Sequence, residues 1–276
     1  MSVSASMVKE LREQTGAGMM ECKKALVAAE GNTEKAIELL RKSGQANAEK
    51  KSSRVAADGR IAIAVDGNKA AIAEINSETD FVARGENFIE FAEAVVDAAL
   101  TSSVEDVGAL STTTLSDGRM IETARTDLVA KVGENISVRR FERVEAADHL
   151  GNYTHGARIG VLVSLSGGNA ELARDVAMHV AASDPLCVDE DGVPADMLER
   201  ERRIITEQAA DSGKPAEIVE KMVSGRVAKF LREITLLGQS FVKDPDVSVG
   251  KLLKSAGATV TAFVRYELGE GIEKKL

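Results

Sequence analysis

Apolar residues recur with helical spacing through the first part of the chain. Val8 with Leu11, then Met19 to Leu26, then Ala36 to Leu40 fall on one face each, so residues 4–43 are predicted to form three short helices. Glycines separate the three stripes, because glycine accepts the backbone angles that end a helix. A bundle of about forty residues buries little surface and is marginal by itself.

The next segment changes from helical spacing to alternation. Residues 44–58 are small, polar and without a clear period, so we place a linker at 46–58 and expect the N-terminal module to move independently. Alternating apolar residues at 60–65 and 70–75 flank Asp66-Gly67-Asn68, which is typical of a hairpin. Helical spacing returns from Phe88 to Ala99 and predicts a helix with one apolar face.

A similar order of strand and helix recurs in the second half. Residues 158–163 predict a strand, Gly167-Gly168 a turn and residues 171–182 a helix, so two related α+β subdomains are predicted. Further strands are predicted at 138–144 and 260–266. Between Pro194 and Ile234, two apolar stripes flank a breaker at 211–215, which predicts an antiparallel helical hairpin, or coiled coil.

Together these patterns predict an α+β fold with several parts. The predicted parts are a three-helix domain at 1–45, a linker at 46–58, a core N-subdomain at 59–145, a core C-subdomain at 146–192 and 236–276, and the helical hairpin at 193–235.

The formal net charge of −9 narrows the functions to consider. Proteins that coat phosphate backbones depend mostly on Lys and Arg, so the acidic balance argues against nucleic acid as the main partner. Two basic clusters are interpreted as solvated faces; they are Lys50, Lys51 and Arg54, and Arg139, Arg140 and Arg143. RNA binding through the second cluster is one alternative, and its affinity would fall steeply with salt.

Cysteine content and the N-terminal residues indicate a compartment. Cys22 and Cys187 are too few for a disulfide framework and lack CxxC spacing, so a reducing, cytoplasmic location is expected. The N-terminal residues contain neither the apolar segment nor the cleavage site of a leader, and no run of about eighteen apolar residues occurs. Neither export nor membrane association is expected.

A search for catalytic groupings finds none that stands out. The phosphate-loop patterns GxGxxG and GxxxxGK[ST] do not occur. His149, His155 and His179 lack the spacing of zinc ligands. The chain is therefore expected not to be an enzyme and to need no metal or cofactor.

The segment from Asn76 to Arg84 places an aromatic residue among charges, between a strand and a helix. Phe81 stands close to Glu78, Asp80 and Arg84, so its ring is a candidate for outward display. The alternative is that Phe81 packs the hairpin against the next helix and that Asp80 helps to cap this helix.

Two other positions also allow two interpretations. His179 shares a helix face with apolar residues, which is typical of a core histidine. Met19 and Met20 can be core, or their flexible thioethers can serve an adaptable binding surface. Neighbours on a helix lie about 100° apart, so both methionines cannot point inward equally.

Several longer blocks resemble the elongation factor Ts family. They are Val8–Arg12, Thr15–Met20, Cys22–Leu26, Thr79–Ala83, His155–Gly160 and Gly269–Lys274, and the match runs essentially from end to end in the same order. The resemblance implies an N-terminal domain like the ubiquitin-associated (UBA) domains, a two-part α+β core, and a helical hairpin used in dimerisation.

The resemblance also implies a function, that of a guanine nucleotide exchange factor that binds elongation factor Tu with GDP, releases the GDP and leaves when GTP binds. In the family, the segment matching Thr79, Asp80, Phe81 and Val82 lies beside the magnesium site of the GTPase, and the aromatic ring occupies an apolar pocket of the partner. Positions matching Met19, Met20 and Lys23 contact the GTPase domain, and the half containing His179 helps to hold the partner.

Some family members continue past the Gly269–Lys274 block into a C-terminal helix that touches the partner, whereas this chain stops at Leu276, so that contact is not expected. An adaptor that binds peptides through residues 4–43 is a further alternative. Such an adaptor would work as an isolated fragment, whereas an exchange factor would need the core.

Overall fold

The computed structural model describes residues 3–210 and 215–273. Its first three helices are α1 (Ala5–Thr15), α2 (Met19–Ala28) and α3 (Thr33–Lys51). Their apolar stripes meet in one small core, in which Leu11 and Leu26 are fully buried. The three predicted helices are therefore present and pack through the predicted faces.

Helix α3 continues well past its predicted end, and the linker prediction is wrong for residues 46–51. Ala48 is buried among residues of the first α+β core. A methyl group at Gly44 would lie 3.5 Å from the Ala130 Cβ, so a small residue here allows the later helix to approach closely. The small residues that suggested a flexible linker instead pack against the first α+β core. The prediction that the three-helix domain moves independently is therefore no longer supported by a flexible segment at 46–51.

The first sheet has the strand order β1 (Asp58–Asp66), β2 (Lys69–Ser77), β3 (Ile136–Glu145). Gly67 adopts φ 60° in the tight turn of the predicted hairpin, a conformation that favours glycine. Nearly every residue of the central strand β2 is buried, so both faces of this strand are covered.

Four helices lie between β2 and β3 in the sequence: α4 (Asp80–Ala83), α5 (Glu86–Thr101), α6 (Val107–Ser111) and α7 (Ile121–Val132). Of these, the sequence pattern predicted α5, whose Phe88 and Phe91 are buried against the sheet core. Helix α7 was not predicted. Its buried positions include the polar Thr126 and it packs on both α3 and α5, so its apolar residues do not form one narrow stripe.

The second α+β region begins with β4 (His149–His155), β5 (Ile159–Ser166) and α8 (Ala170–Ser183). Strands β4 and β5 are antiparallel, with His149 opposite Leu165 and His155 opposite Ile159. A side chain at Gly151 would meet the Ala173 carbonyl oxygen at 2.1 Å, so α8 lies directly on β4. Strand β4 was not predicted, because the sequence HLGNYTH has no apolar alternation.

Helices α9 (Ala195–Ala210) and α10 (Ala216–Ile234) follow a short 3-10 turn and contact each other through Ile205, Val227 and Leu231. Residues 211–214 of the predicted breaker lie outside the described residues. The remaining elements are β6 (Ser240–Phe241), β7 (Asp244–Ser248), α11 (Val249–Ser255) and β8 (Thr259–Glu267).

The second three-stranded sheet has the order β4-β5-β8. The two three-stranded sheets have the same arrangement. In each, two strands that are consecutive in sequence lie side by side, and the third strand, which comes after intervening helices, pairs with the second of them. The prediction of an α+β fold is confirmed. The UBA-like and coiled-coil assignments and the exact domain boundaries stay predictions, and the last three residues, 274–276, lie outside the described residues.

A buried carboxylate connects β2 and β3 with the chain that follows β8. Glu74 is fully buried and lies 3.0 Å from Arg139 Nη1 and 2.7 Å from Arg140 Nε. The backbone N–H of Gly269 donates to the same carboxylate at 2.8 Å. Burial alone would raise the pKa of Glu74, but the hydrogen bonds from Gly269, Asn76 and the two arginines outweigh it and lower that pKa below its usual value.

These contacts correct the interpretation of the second basic cluster as a solvated face. Arg139 and Arg140 are half-buried and ion-paired with Glu74. The Arg143 guanidinium donates to the carbonyl oxygens of Ser102 (2.7 Å) and Val104 (2.5 Å). The cluster therefore connects elements of the fold.

The chain divides into two compact units. One contains the N-terminal helices up to Ala64, the segment Ala71–Arg143 and the chain from Tyr266 onward; the other contains Val65–Ala70 and Val144–Arg265. No helix within residues 3–210 and 215–273 has the length and apolar character needed to cross a membrane.

Candidate functional site

The segment 78–83, here called the Phe81 turn, joins β2 to α5 and includes the single turn of helix α4. Thr79 has extended backbone angles, and its hydroxyl accepts a hydrogen bond from the backbone N–H of Val82 at 3.4 Å. Thr79 is therefore the N-cap of α4. The alternative in which Asp80 caps the following long helix is wrong, because Gly85 precedes α5 and makes no side-chain cap.

Phe81 projects outward from this turn. The residue is 84% exposed, the highest value among the large apolar residues that the structure describes as exposed. Ala83 is buried, and Val82 packs against the core of the first sheet. The interpretation in which Phe81 packs the hairpin against its helix is therefore wrong.

Asp80 lies beside the ring at the start of α4. Its carboxylate is 2.8 Å from Arg84 Nη2, and both side chains are half exposed or more. An exposed ion pair of this kind contributes about 0–1 kcal/mol. The Asp80 carboxylate is therefore accessible and held only weakly by its own chain.

Glu134, which lies between α7 and β3, holds the Phe81 turn through hydrogen bonds. Its carboxylate accepts hydrogen bonds from the Thr79 backbone N–H (3.0 Å) and from the Thr79 hydroxyl (2.7 Å). The Ser77 hydroxyl donates to the Thr79 carbonyl oxygen at 2.9 Å. Three groups of Thr79 are thus held by neighbours that do not belong to α4.

A second set of bonds holds the residue before Thr79. The backbone N–H of Asn135 donates to the Glu78 carboxylate at 2.6 Å, and Arg54 approaches the same carboxylate at 3.5 Å. The Asn135 amide also donates to the carbonyl oxygen of Arg54 at 2.8 Å. Sequence patterns did not find Glu134 or Asn135, because both lie more than fifty residues from the turn and belong to no motif.

A second candidate surface lies on α2. Met19, Met20 and Lys23 are exposed, while Cys22 and Leu26 of the same helix are buried in the small core. Val27 is exposed as well and follows Lys23 by four residues, so it extends the same face. The interpretation of Met19 and Met20 as core is wrong for both residues.

His179 on α8 has no exposed surface. Its Nδ1 accepts a hydrogen bond from the Val242 backbone N–H at 3.1 Å, so Nε2 carries the proton that bonds to Gln239 Oε1 at 3.0 Å. Burial lowers the pKa of His179, and the bond to Gln239 opposes this effect only in part. His179 is therefore a neutral core histidine with both ring nitrogens satisfied, as its core interpretation expected, and its assignment to partner binding stays a prediction.

The described residues contain no group of three or more His, Cys, Asp and Glu side chains arranged to hold a metal ion. What the geometry offers is an exposed aromatic ring with an accessible carboxylate on an anchored turn, together with an exposed methionine face. Exposed apolar side chains on rigid supports are typical of protein-binding sites. The fold and site therefore define an α+β protein with two candidate protein-binding surfaces.

Comparison with known proteins identifies the family. A family model described as Elongation factor TS matches residues 78–270. The chain is 61% identical over 279 residues to Elongation factor Ts of Thioalkalivibrio sulfidiphilus (strain HL-EbGR7), covering all of this chain and 95% of that protein. It is 58% identical to the protein of the same name from Methylococcus capsulatus (all of this chain, 95% of that one) and 57% identical to that from Legionella pneumophila (strain Paris; 99% and 94%). The chain belongs to the elongation factor Ts family.

Proposed function

We propose that this chain is the guanine nucleotide exchange factor for elongation factor Tu in the elongation stage of protein synthesis. The observation that carries the proposal is the exposed Phe81 ring, with Asp80 beside it, on an anchored turn of a chain that belongs to the elongation factor Ts family. The chain would bind the GDP form of its partner, release the nucleotide and dissociate when GTP binds.

Exchange of this kind needs no covalent step, so the protein acts as a binding partner and not as an enzyme. A protein that binds the nucleotide-free GTPase more tightly than its GDP form weakens GDP binding by the same factor, because the two equilibria are linked. Each tenfold of coupling corresponds to about 1.4 kcal/mol. The chain must therefore make contacts that are available only when GDP has left.

Phe81 is suited to supply one such contact. Burial of an exposed Phe side chain contributes roughly 1.5–3 kcal/mol, which corresponds to about one to two decades of coupling. The ring has nearly all of its surface free to be buried in a partner, and its support is already fixed by Glu134. Little conformational entropy is then lost when the ring docks.

The rest of the coupling is assigned to the magnesium site of the partner. Mg²⁺ requires near-ideal octahedral geometry, so a small displacement of a coordinating element weakens its binding strongly. Thr79, Asp80, Phe81 and Val82 form the segment that we place beside this site. Asp80 has the charged side chain of this segment, and its accessible carboxylate would act on the metal or on its ligands.

The exposed face of α2 would hold the two proteins together during exchange. Met19 and Met20 supply adaptable apolar contacts, and Lys23 supplies a positive charge on the same side of the helix. His179 is proposed to act indirectly, by fixing the backbone at Val242, an exposed residue of the second unit.

Two further features of the family belong to the same proposal. The α9–α10 pair is proposed as a helical hairpin through which two copies of the chain associate. A cytoplasmic location is proposed because the partner functions in protein synthesis; Cys22 and Cys187 are both free thiols, as is usual in a reducing compartment.

The experiment that tests this function is release of a fluorescent GDP analogue from elongation factor Tu, followed by stopped flow at increasing concentrations of the chain. A saturating increase in the release rate supports exchange activity. Release at the spontaneous rate across the whole titration contradicts it.

Neither alternative function is favoured by the structure. RNA binding depended on Arg139, Arg140 and Arg143, whose guanidinium groups are engaged within the fold. A peptide adaptor depended on residues 4–43 acting as a separate module, but α3 continues into the core of the first sheet at Ala48.

A further inference from the structure

We propose that Glu134 is a positioning residue for exchange, which presets the direction of the Phe81 ring before the partner arrives. The inference rests on the proposed exchange function and adds to it a residue far from the turn in sequence. It concerns the two hydrogen bonds from Thr79 to the Glu134 carboxylate.

The Phe81 turn needs an external support because it has little structure of its own. Helix α4 has four residues, and an isolated helical turn is unfavourable since it fixes several dihedral angles for one hydrogen bond. The Asp80–Arg84 pair within it is exposed and weak. The position of the ring must therefore come from contacts made at the two ends of the turn.

Glu134 meets this need at the N-terminal end. Both of its carboxylate oxygens are used, one by the Thr79 N–H at 3.0 Å and the other by the Thr79 hydroxyl at 2.7 Å. Two hydrogen bonds accepted by one planar carboxylate fix an orientation as well as a distance, and hydrogen bonds to an ionised group are stronger than neutral ones. The same hydroxyl accepts a hydrogen bond from the Val82 N–H. The orientation of the Thr79 side chain therefore also fixes the backbone of the residue after Phe81.

The end of α7 places Glu134 for this role. Gly133 takes φ 80° and ends the helix, a conformation that a residue with a side chain rarely adopts. Its carbonyl oxygen accepts a hydrogen bond from Lys51 Nζ at the end of α3. The next residue but one, Asn135, bonds both Glu78 and the Arg54 carbonyl oxygen. Residues 133–135 thus connect the end of α3 with the start of the Phe81 turn.

This arrangement has a specific kinetic consequence. Without Glu134 the ring still reaches the partner, but only in the fraction of molecules in which the turn has the correct orientation. The contacts of the α2 face are unchanged. We therefore expect the maximal rate of stimulated GDP release to fall about tenfold or more in Glu134→Ala, while the half-saturating concentration changes by less than about twofold.

The test compares Glu134→Ala and Glu134→Gln with the unaltered chain in stopped-flow release of fluorescent GDP from elongation factor Tu. Glu134→Gln keeps the length of the side chain and one acceptor oxygen, so it should recover part of the maximal rate. Glu93→Ala, the same loss of a glutamate at an exposed position of α5, is the matched control and should release GDP at the original rate. Equal maximal rates for Glu134→Ala and Glu93→Ala would overturn the inference.

A double substitution separates positioning from general damage. If Glu134 acts through the ring, then Glu134→Ala added to Phe81→Ala should lower the rate little further, because the ring is already absent. If the double variant instead shows the product of the two single fold-losses in release rate, Glu134 acts independently of the ring, and the inference would be wrong. Should Glu134→Ala not fold, as judged by circular dichroism, Glu134→Gln takes its place in both comparisons; a smaller loss of maximal rate is then expected, and a rate equal to that of Glu93→Ala still overturns the inference.

Amide hydrogen exchange provides a readout that does not depend on the partner. Exchange at the Thr79 amide should accelerate about tenfold or more in Glu134→Ala, which removes both acceptor oxygens, while amides in β4 and β5 keep their protection. An unchanged Thr79 rate overturns the inference even if GDP release is slow. If the unaltered chain fails to stimulate GDP release, the proposed function fails, and this measurement still decides whether Glu134 holds the turn.

Discussion

Replacement of Phe81 by alanine should separate function from stability. Phe81 is 84% exposed, so loss of its ring removes almost no buried contact within the chain. Surface substitutions of this kind usually change the free energy of unfolding by less than about 0.5 kcal/mol. The melting temperature should therefore move by no more than about 1–2 °C.

The effect on exchange should be far larger. Burial of the ring in a partner contributes roughly 1.5–3 kcal/mol, so the stimulated rate of GDP release should fall by about one to two decades. The rate is measured by stopped flow with a fluorescent GDP analogue on elongation factor Tu at saturating concentrations of each variant. Thermal unfolding by circular dichroism is followed on the same samples.

Two controls make the comparison specific. Phe88→Ala removes the same side chain from a fully buried position of α5 and should cost about 3–5 kcal/mol of folding free energy. Met120→Ala shortens another exposed apolar residue of the same unit and should leave both measurements unchanged. A Phe81→Ala variant with the original release rate, or one that melts as early as Phe88→Ala, would refute the reasoning.

Three further predictions concern other parts of the chain. Met20→Ala should weaken the complex with elongation factor Tu in titration calorimetry by about five- to tenfold without lowering stability, since the side chain is exposed in the chain alone and is proposed to contact the partner; an unchanged affinity would contradict this role of Met20. His179 has a pKa below its usual value of 6.5 in the folded chain, so the unfolded chain takes up the proton first and stability should fall as the pH drops below about 6.5; urea unfolding of His179→Gln should lack this part of the pH dependence, and parallel curves would contradict the assignment. Glu74→Gln leaves Arg139 and Arg140 without their buried carboxylate and should cost about 3–5 kcal/mol in urea unfolding at pH 7, whereas a loss below about 1 kcal/mol would mean that the network contributes little.

The amino-acid pattern predicted those elements whose stabilising contacts are local or repeat along one face. Helices α1 and α2, the β1–β2 hairpin and α5 follow from apolar spacing and turn residues alone. Helix α7 and strand β4 were not predicted, since their buried positions face several different neighbours. Small residues such as Gly44 and Ala48 suggested a linker because pattern cannot distinguish a flexible segment from a close helix contact.

By itself, the sequence determined the α+β class, most helices and strands, the family, and the presence of an unusual aromatic residue at position 81. Only the tertiary structure decided that Phe81 is exposed and that His179 is buried, because burial depends on which elements pack together. It also decided that Glu134 holds Thr79 across a separation of 55 residues. A bond between two residues so far apart in sequence produces no periodic pattern of apolar or polar positions. It exists only when the first sheet and α7 are packed together.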